Sequence, residues 1–417
     1  MWALVRQRPH YRQVLVGSMI SQLGDWLSYI AVSLLTVSSG EGGLALATAY
    51  LSHTLPTALV APLAGRVADR YDRRKVMIGA YLASSAMTGL MMWAALRGEI
   101  WTLQALTCLR TSLSSFGMTA RQAAIPALVS REELYSANAL NSMIWSTLFT
   151  LGVALGGALS ATLGATTAIG VDALTFLASI LAIWSLPALH PAQALYGEAH
   201  ADEPKGDQAS EAPAALELKP DAGLWACWRF ARRDAQLAAA LLAKCPLGVI
   251  NSAGWMTLTL MASQTFGDQT GATLGLFHAS RAVGTGLGPL LLTRPWPRSA
   301  VASTMWAAPV TLCVLWSERL ALSMACLLLW GMLLGYTWVR SSALVQQRSP
   351  HAALGRLSAF DHSASISCQA GSILIIGLIY DLGWGLSTGV YLMATLTLMI
   401  GLWLSRLERR DDLSHNS

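Results

Sequence analysis

Long apolar stretches recur along the chain, set apart by short polar intervals, and the pattern divides it into twelve: 13–36, 44–64, 76–96, 100–120, 139–162, 165–187, 236–262, 270–292, 299–316, 320–339, 357–380 and 385–405. Wound as a helix, stretches of this length suffice to cross a hydrocarbon layer of about 30 Å. The sixth and seventh are separated by 188–235, where Ala, Pro, Glu, Asp and Gly gather around 197–222. Such a composition cannot bury an apolar face and predicts a linker. Its last part, Leu224-Trp225-Ala226-Cys227-Trp228-Arg229-Phe230-Ala231-Arg232-Arg233, pairs aromatic with basic residues and predicts an amphipathic helix on the membrane surface. The expected fold is therefore an all-α integral membrane protein of twelve transmembrane helices in two six-helix bundles. Residues 1–187 form the N-terminal bundle, 188–235 the linker, and 236–417 the C-terminal bundle with a short tail.

Charge fixes the expected orientation. The N-terminus, the even-numbered loops, the linker and the C-terminal tail carry 23 of the Lys and Arg residues, whereas the odd-numbered loops carry only Arg97 and Arg319. By the positive-inside rule both termini and the linker lie in the cytoplasm, and the protein sits in the cell (inner) membrane. With 54% hydrophobic residues and a mean hydropathy of +0.47, the net charge of +5 reflects this topology and does not point to nucleic acid. Met1 to Arg12 is short and basic with no small-residue cleavage site, so no cleavable signal peptide is expected. The six cysteines stand singly, which argues against a disulfide framework and a metal site.

Few charges fall within the spans, and each is costly there unless compensated. Asp25 in the first span and Arg110 in the fourth both fall near the bilayer midplane, where they would offset one another or line a wet cavity. They are candidates for proton coupling or substrate contact, with a buried structural ion pair as the competing reading. Asp172 lies in the sixth span and Asp361 near the start of the eleventh. Lys244 and Arg281, in spans seven and eight, show no intramembrane acid nearby and suggest an anionic group on a substrate or a lipid headgroup. Lys244 has a second reading, in which it snorkels to the interface. His53 and His278 read as helix packing in preference to proton relays. Trp145 and Trp255 sit deeper than the other tryptophans, which gather at span ends; packing is the expected role, a cavity for an aromatic ligand the alternative. Gly284, Gly286 and Gly288 lie inside an apolar span, which makes them packing glycines and not a nucleotide loop.

The densest charged stretch, Gly65-Arg66-Val67-Ala68-Asp69-Arg70-Tyr71-Asp72-Arg73-Arg74-Lys75, has seven charged residues in eleven. It resembles the signature loop between helices 2 and 3 of the major facilitator superfamily. Ser21-Gln22-Leu23-Gly24-Asp25-Trp26 and the run from Ala120-Arg121-Gln122 to Ala137-Asn138-Ala139-Leu140 are similar to the branch holding macrolide-efflux and enterobactin-exporter proteins. Gly355-Arg356-Leu357-Ser358 extends the likeness to the C-terminal half. The chain departs from the pattern at three places. Asp72 stands where the loop usually has glycine. Val153, within Gly152-Val153-Ala154-Leu155-Gly156-Gly157, stands where exporters usually carry proline. Thr293-Arg294-Pro295-Trp296-Pro297-Arg298 is a worn repeat of the loop.

The resemblance implies the major facilitator fold and a monomeric secondary transporter, driven by protons and not by ATP, exporting an amphipathic or anionic small molecule by alternating access. Uptake, lipid flipping and a non-transporting sensor on the same fold are the alternatives. It also implies a conformational gate of Gly65, Asp69, Arg70 and Arg73, in which Asp69 faces the positive N-terminal end of helix 11 near Leu357 and Ser358 when the cytoplasmic side is closed. Gly152, Gly156 and Gly157 form the expected helix-packing motif. The expected partners are a small-molecule substrate, protons and membrane lipids. No cofactor, metal or enzymatic activity is implied, since no catalytic cluster recurs at one membrane depth.

Overall fold

Backbone polarity in lipid is satisfied within a helix or a closed barrel, and apolar stretches of about twenty residues suit the helix; the described residues are almost wholly helical. The computed structural model describes residues 2–130, 133–190, 224–266, 270–291, 307–311, 313, 319–349 and 354–414. The helices are α1 (Trp2–Gln7), α2 (Pro9–Ser38), α3 (Gly42–Arg70), α4 (Arg73–Leu96), α5 (Ile100–Leu128), α6 (Leu134–Leu163), α7 (Ala165–Ile183), α8 (Leu224–Ala231), α9 (Ala235–Leu242), α10 (Lys244–Phe266), α11 (Thr270–Leu291), α12 (Leu320–Arg348), α13 (Leu354–Asp381) and α14 (Leu386–Ser414). Among the described residues there is no strand. Most of the linker, 191–223, lies outside the described residues, as does most of the ninth expected span, of which 307–311 and 313 are helical.

Nine of these helical runs are long and apolar enough to cross a bilayer. The fourth and eighth expected spans, α5 and α11, are helical but fall short of that mark. The reason is their content: α5 carries Gln104 and Arg110, and α11 carries His278 and Arg281, all of them buried. The seventh span is two helices, α9 and α10, divided at Ala243 just before Pro246, which lacks the amide an unbroken helix would use. The segment 224–231 is helical as expected, but it docks on protein. Cys227 and Ala231 are buried with Leu237, Leu241, Val345 and Leu357, and Trp228 stacks on Phe360.

Helices α2 to α7 pack on one another, as do α10 with α13 and α14, and α11 with α12. The α11–α12 contact is the most extensive and rests on four glycines. A Cβ at Gly284 or Gly288 would collide with the carbonyl of Leu328 or Met332; one at Gly331 or Gly335 would collide with that of Arg281 or Thr285. This is backbone-to-backbone packing by small residues four apart. Asp72 caps α4 by accepting from Arg74 N at 3.0 Å and also accepts from Leu189 N at 2.9 Å. The acid in place of the usual loop glycine therefore ties the turn to the chain leaving α7.

The two halves meet along α3–α13 and α6–α11, at the end of the molecule opposite the basic loops. A Cβ at Gly43 would lie 2.7 Å from the Gly377 carbonyl, and one at Gly157 would lie 2.8 Å from Gly275 Cα. Asp381, the last residue of α13, accepts from Gly43 N at 2.6 Å and from Leu44 N at 2.9 Å. It thereby caps the N-terminus of a helix in the other half, satisfying two orphan amides and complementing the helix dipole. At the basic end, a Cβ at Gly65 would meet nothing within 4 Å, and Leu59 and Leu63 on the same helix are exposed.

If Asp381 holds that end shut, Asp381→Ala removes a cap of about 0.5–2 kcal/mol. Spin labels at the exposed Ser39 and Trp384, one from each half, are expected to gain a longer-distance population in the variant. An unchanged distance distribution would count against the latch.

Candidate functional site

Among the described residues three buried cations mark the interior, Arg110 in the N-terminal half and Lys244 and Arg281 in the C-terminal half, and they are treated differently. Arg110, from the middle of α5, is 2% exposed. Its NH1 group pairs with Asp25 of α2 and lies 3.8 Å from Asp172 of α7. Its NH2 group donates to His53 Nδ1 of α3 at 3.2 Å. Since a guanidinium only donates, Nδ1 must accept, which puts the ring proton on Nε2. Asp172 is fully buried and takes a further hydrogen bond from the Ser28 hydroxyl. Gly24 allows this assembly, because a Cβ there would collide with Thr175 Oγ1 and Asp172 Oδ1. The Asp25 side chain keeps 36% of its exposure while Asp172 has none. Four helices thus deliver one cation, two carboxylates and an imidazole to one point, and only one carboxylate is open.

Asp25 and Arg110 meet as their matching depth predicts. The sequence reasoning did not assign Asp172 and His53 to this cluster. The available signal was arithmetic: spans one to six hold two acids and one base, so one acid needed a partner already in use.

In the other half, Lys244 is not unpaired, contrary to the sequence expectation. Its ammonium pairs with Asp361 of α13 and lies 4.6 Å from the centre of the Trp338 ring; both ionic groups are buried. Residue 361 is seven residues into α13, and packing of α10 on α13 brings it against the first residue of α10.

Arg281 is the exception. It is 2% exposed, and its NH1 group donates to Asn251 Oδ1. No carboxylate pairs with it among the described residues. Aromatic faces surround it instead: its Cζ lies 4.4 Å from the Trp255 ring centre, 5.6 Å from Trp330 and 5.7 Å from Phe149 of the other half. Trp255 also touches Tyr29 at 4.9 Å and Tyr50 at 6.0 Å between ring centres, and stacks on His278 at 3.7 Å. A layer of rings from both halves therefore crosses the molecule at mid-depth. Beyond it, toward the closed end, lies a cleft of ≈ 770 Å³ lined by Leu34, Leu46, Leu260, Gln264, Thr270 and Tyr380. None of the charged candidates borders that cleft.

The glycine motif of α6 faces two ways. A Cβ at Gly152 would meet Trp26, one at Gly156 the backbone of Leu27, and one at Gly157 the backbone of Gly271 and Gly275 in α11. Of the gate candidates, Gly65 makes no cross-half approach, Arg70 is exposed, and Arg73 Nε donates to the Ala68 carbonyl at 3.4 Å. The side chains of Asp69 and Ser358 lie outside the described residues.

Residues 14–374 match the sequence profile of the Major Facilitator Superfamily. The chain belongs to that superfamily. This major facilitator is 27% identical over 393 residues to the enterobactin exporter EntS of Citrobacter koseri, covering 90% of this chain and 86% of that one. It is 31% identical over 181 residues to the multidrug efflux pump Tap of Mycobacterium tuberculosis, covering 42% of this chain and 43% of Tap. The similarity to the transporter YfiS of Bacillus subtilis is 26% over 185 residues, 44% of each chain, so several relatives align over less than half their length. A bacterial homologue of the lysosomal transporter Spinster superposes with a TM-score of 0.70 at 13% identity, over 96% of both chains. The chain is accordingly a multi-pass membrane protein of that superfamily, with relatives named as exporters and efflux pumps.

Removing one member of the Arg110 cluster is expected to be worse than removing two. Arg110→Gln leaves two carboxylates facing each other and should cost about 3–5 kcal/mol. Adding Asp172→Asn should recover part of that, a non-additivity read from thermal unfolding of the purified single and double variants. Simple additivity would mean the groups are independent.

Proposed function

We propose that this transporter exports a small amphipathic molecule in exchange for protons, by rocking of bundles 1–187 and 236–417 about the ring layer at mid-depth. The observation that carries the reading is the cluster of Asp25, Arg110 and Asp172. One guanidinium facing two carboxylates leaves one negative charge unmatched in a low-dielectric interior, and a proton completes neutrality. Asp25 is the more accessible carboxylate, with 36% of its side chain exposed while Arg110 and Asp172 are closed off. Loading and unloading of that proton then changes how firmly α2, α5 and α7 are held together.

Alternating access needs contacts that exist in one state and not in the other. The Asp381 cap on α3 and the Gly157–Gly275 approach serve the state closed at the end away from the basic loops. Asp69 at the far end of α3 would serve the opposite state, by facing the N-terminus of α13. With the basic loops in the cytoplasm of a bacterial inner membrane, the described conformation is open inward, ready to load cargo for export. The names of EntS and Tap support the outward direction.

The test is a reconstituted vesicle assay with an internal pH dye, comparing the native protein with Asp25→Asn across a panel of amphipathic cations and anions. A compound that drives proton movement in the native protein and not in Asp25→Asn supports the reading. Equal proton movement in both would remove Asp25 from coupling, and none in either would remove proton coupling altogether.

A further inference from the structure

Resting on that transport reading, and naming the class of molecule it carries, we propose that Arg281 and the rings around it bind a planar aromatic monoanion.

The first observation is a charge without a counter-charge. Arg281 is eleven residues from Thr270 and ten from Leu291, so about 15 Å of helix separates it from either end. A cation at that depth is ordinarily matched by an acid or led to water. Arg110 and Lys244 both follow that rule. Arg281 has an amide oxygen and aromatic faces, which soften the cost of burial without neutralising the charge. Tyr29 and Tyr50 approach through Trp255 and are neutral hydroxyl-bearing rings.

A surplus of donors is the second. Arg281 Nε, Trp330 Nε1 and the ring nitrogens of His278, one of which carries an N–H in the neutral ring, are buried and make no hydrogen bond among the described residues. Trp330 lies against Arg281, and His278 stacks on the same Trp255 ring that faces the guanidinium. Unmade hydrogen bonds at buried donors are expensive, and here they gather around one cation. An oxyanion supplies what all of them lack, with two acceptor oxygens suited to the planar guanidinium fork.

The remaining wall sets the rest of the ligand. Phe149, Trp255 and Trp330 enclose the cation, and Phe149 continues into Trp26 at 4.7 Å and Trp145 at 5.7 Å between ring centres. Trp145 is 48% exposed, so the ring series has an open end. A flat apolar body extending from the anionic group has stacking partners along this series. Because Phe149 belongs to α6 and Trp255 to α10, the site spans both halves, and a bound anion would draw them together. The glycine contact of α11 with α12 holds Arg281 and Trp330 in fixed relation while this happens.

The experiment needs no gradient, so its outcome is independent of proton coupling. The full-length protein in phosphatidylcholine nanodiscs is titrated with 2-naphthoate, 2-naphthamide and a naphthylmethylammonium salt, with empty discs subtracted. Naphthoate is expected to bind saturably and about tenfold or more tighter than the neutral and cationic probes, the scale of one charge-assisted hydrogen bond. Arg281→Gln should abolish that preference. Trp330→Phe, which keeps a ring and removes only the indole donor, should weaken naphthoate by about threefold to tenfold and leave naphthamide unchanged. Equal binding of the three probes overturns the proposal, as does naphthoate binding that is unchanged in both variants. Displacement of naphthoate by phosphatidylglycerol in the discs would assign the site to a lipid headgroup and overturn the small-molecule assignment.

Discussion

A guanidinium in the middle of a bilayer must be answered by the protein that put it there, and most of this interior follows from how that is done. Arg110 is answered with charge. Four helices converge on it because Asp25, Asp172 and His53 sit on three of them and the arginine on the fourth. The packing of the N-terminal half is thus organised around an electrostatic centre that cannot lose one member without stranding another. Arg281 is answered with surface. Rings take the place of a counter-ion, and the balance is left incomplete. One half therefore answers its buried guanidinium with carboxylates and the other with rings and an amide.

Backbone proximity is the second constraint. Between the two halves, helices meet backbone to backbone at glycines, as at Gly43 with Gly377 and Gly157 with Gly275. At these points the backbones approach through dispersion and weak polar contacts, beside an apolar cluster that runs through both halves. Within the C-terminal half, the seam of α11 with α12 has four glycines instead and the broadest contact, and it holds those two helices as a pair.

The architecture was legible in the sequence because hydropathy and loop charge are one-dimensional signals, and they gave span positions that the described helices follow. The fourth and eighth spans were less apolar for the same reason that they matter: they carry Arg110 and Arg281. The pairing of Asp25 with Arg110 was legible because both are rare charges at one depth. Asp172 and His53 were not, since nothing along the chain says that α7 and α3 approach α5 at that level. The pairing of Lys244 with Asp361 was not legible, because 117 positions separate them and nothing along the chain brings the start of the eleventh span against the seventh. Arg281 pairs with no carboxylate among the described residues, and its ring enclosure draws on α6, α10 and α12, which only the packed structure assembles.

Asp381 has a consequence of a different kind. Its partners are the amides of Gly43 and Leu44, which every residue except proline supplies. The side chain at position 44 is therefore free to drift over generations without breaking the bond, and position 43 is held only by the lack of room beside Gly377. Across descendants of this chain, the acid at 381 would persist with no compensating exchange at 44 to betray what it touches. A comparison of correlated substitutions would pass over the contact, although it joins the two halves across 337 positions of sequence.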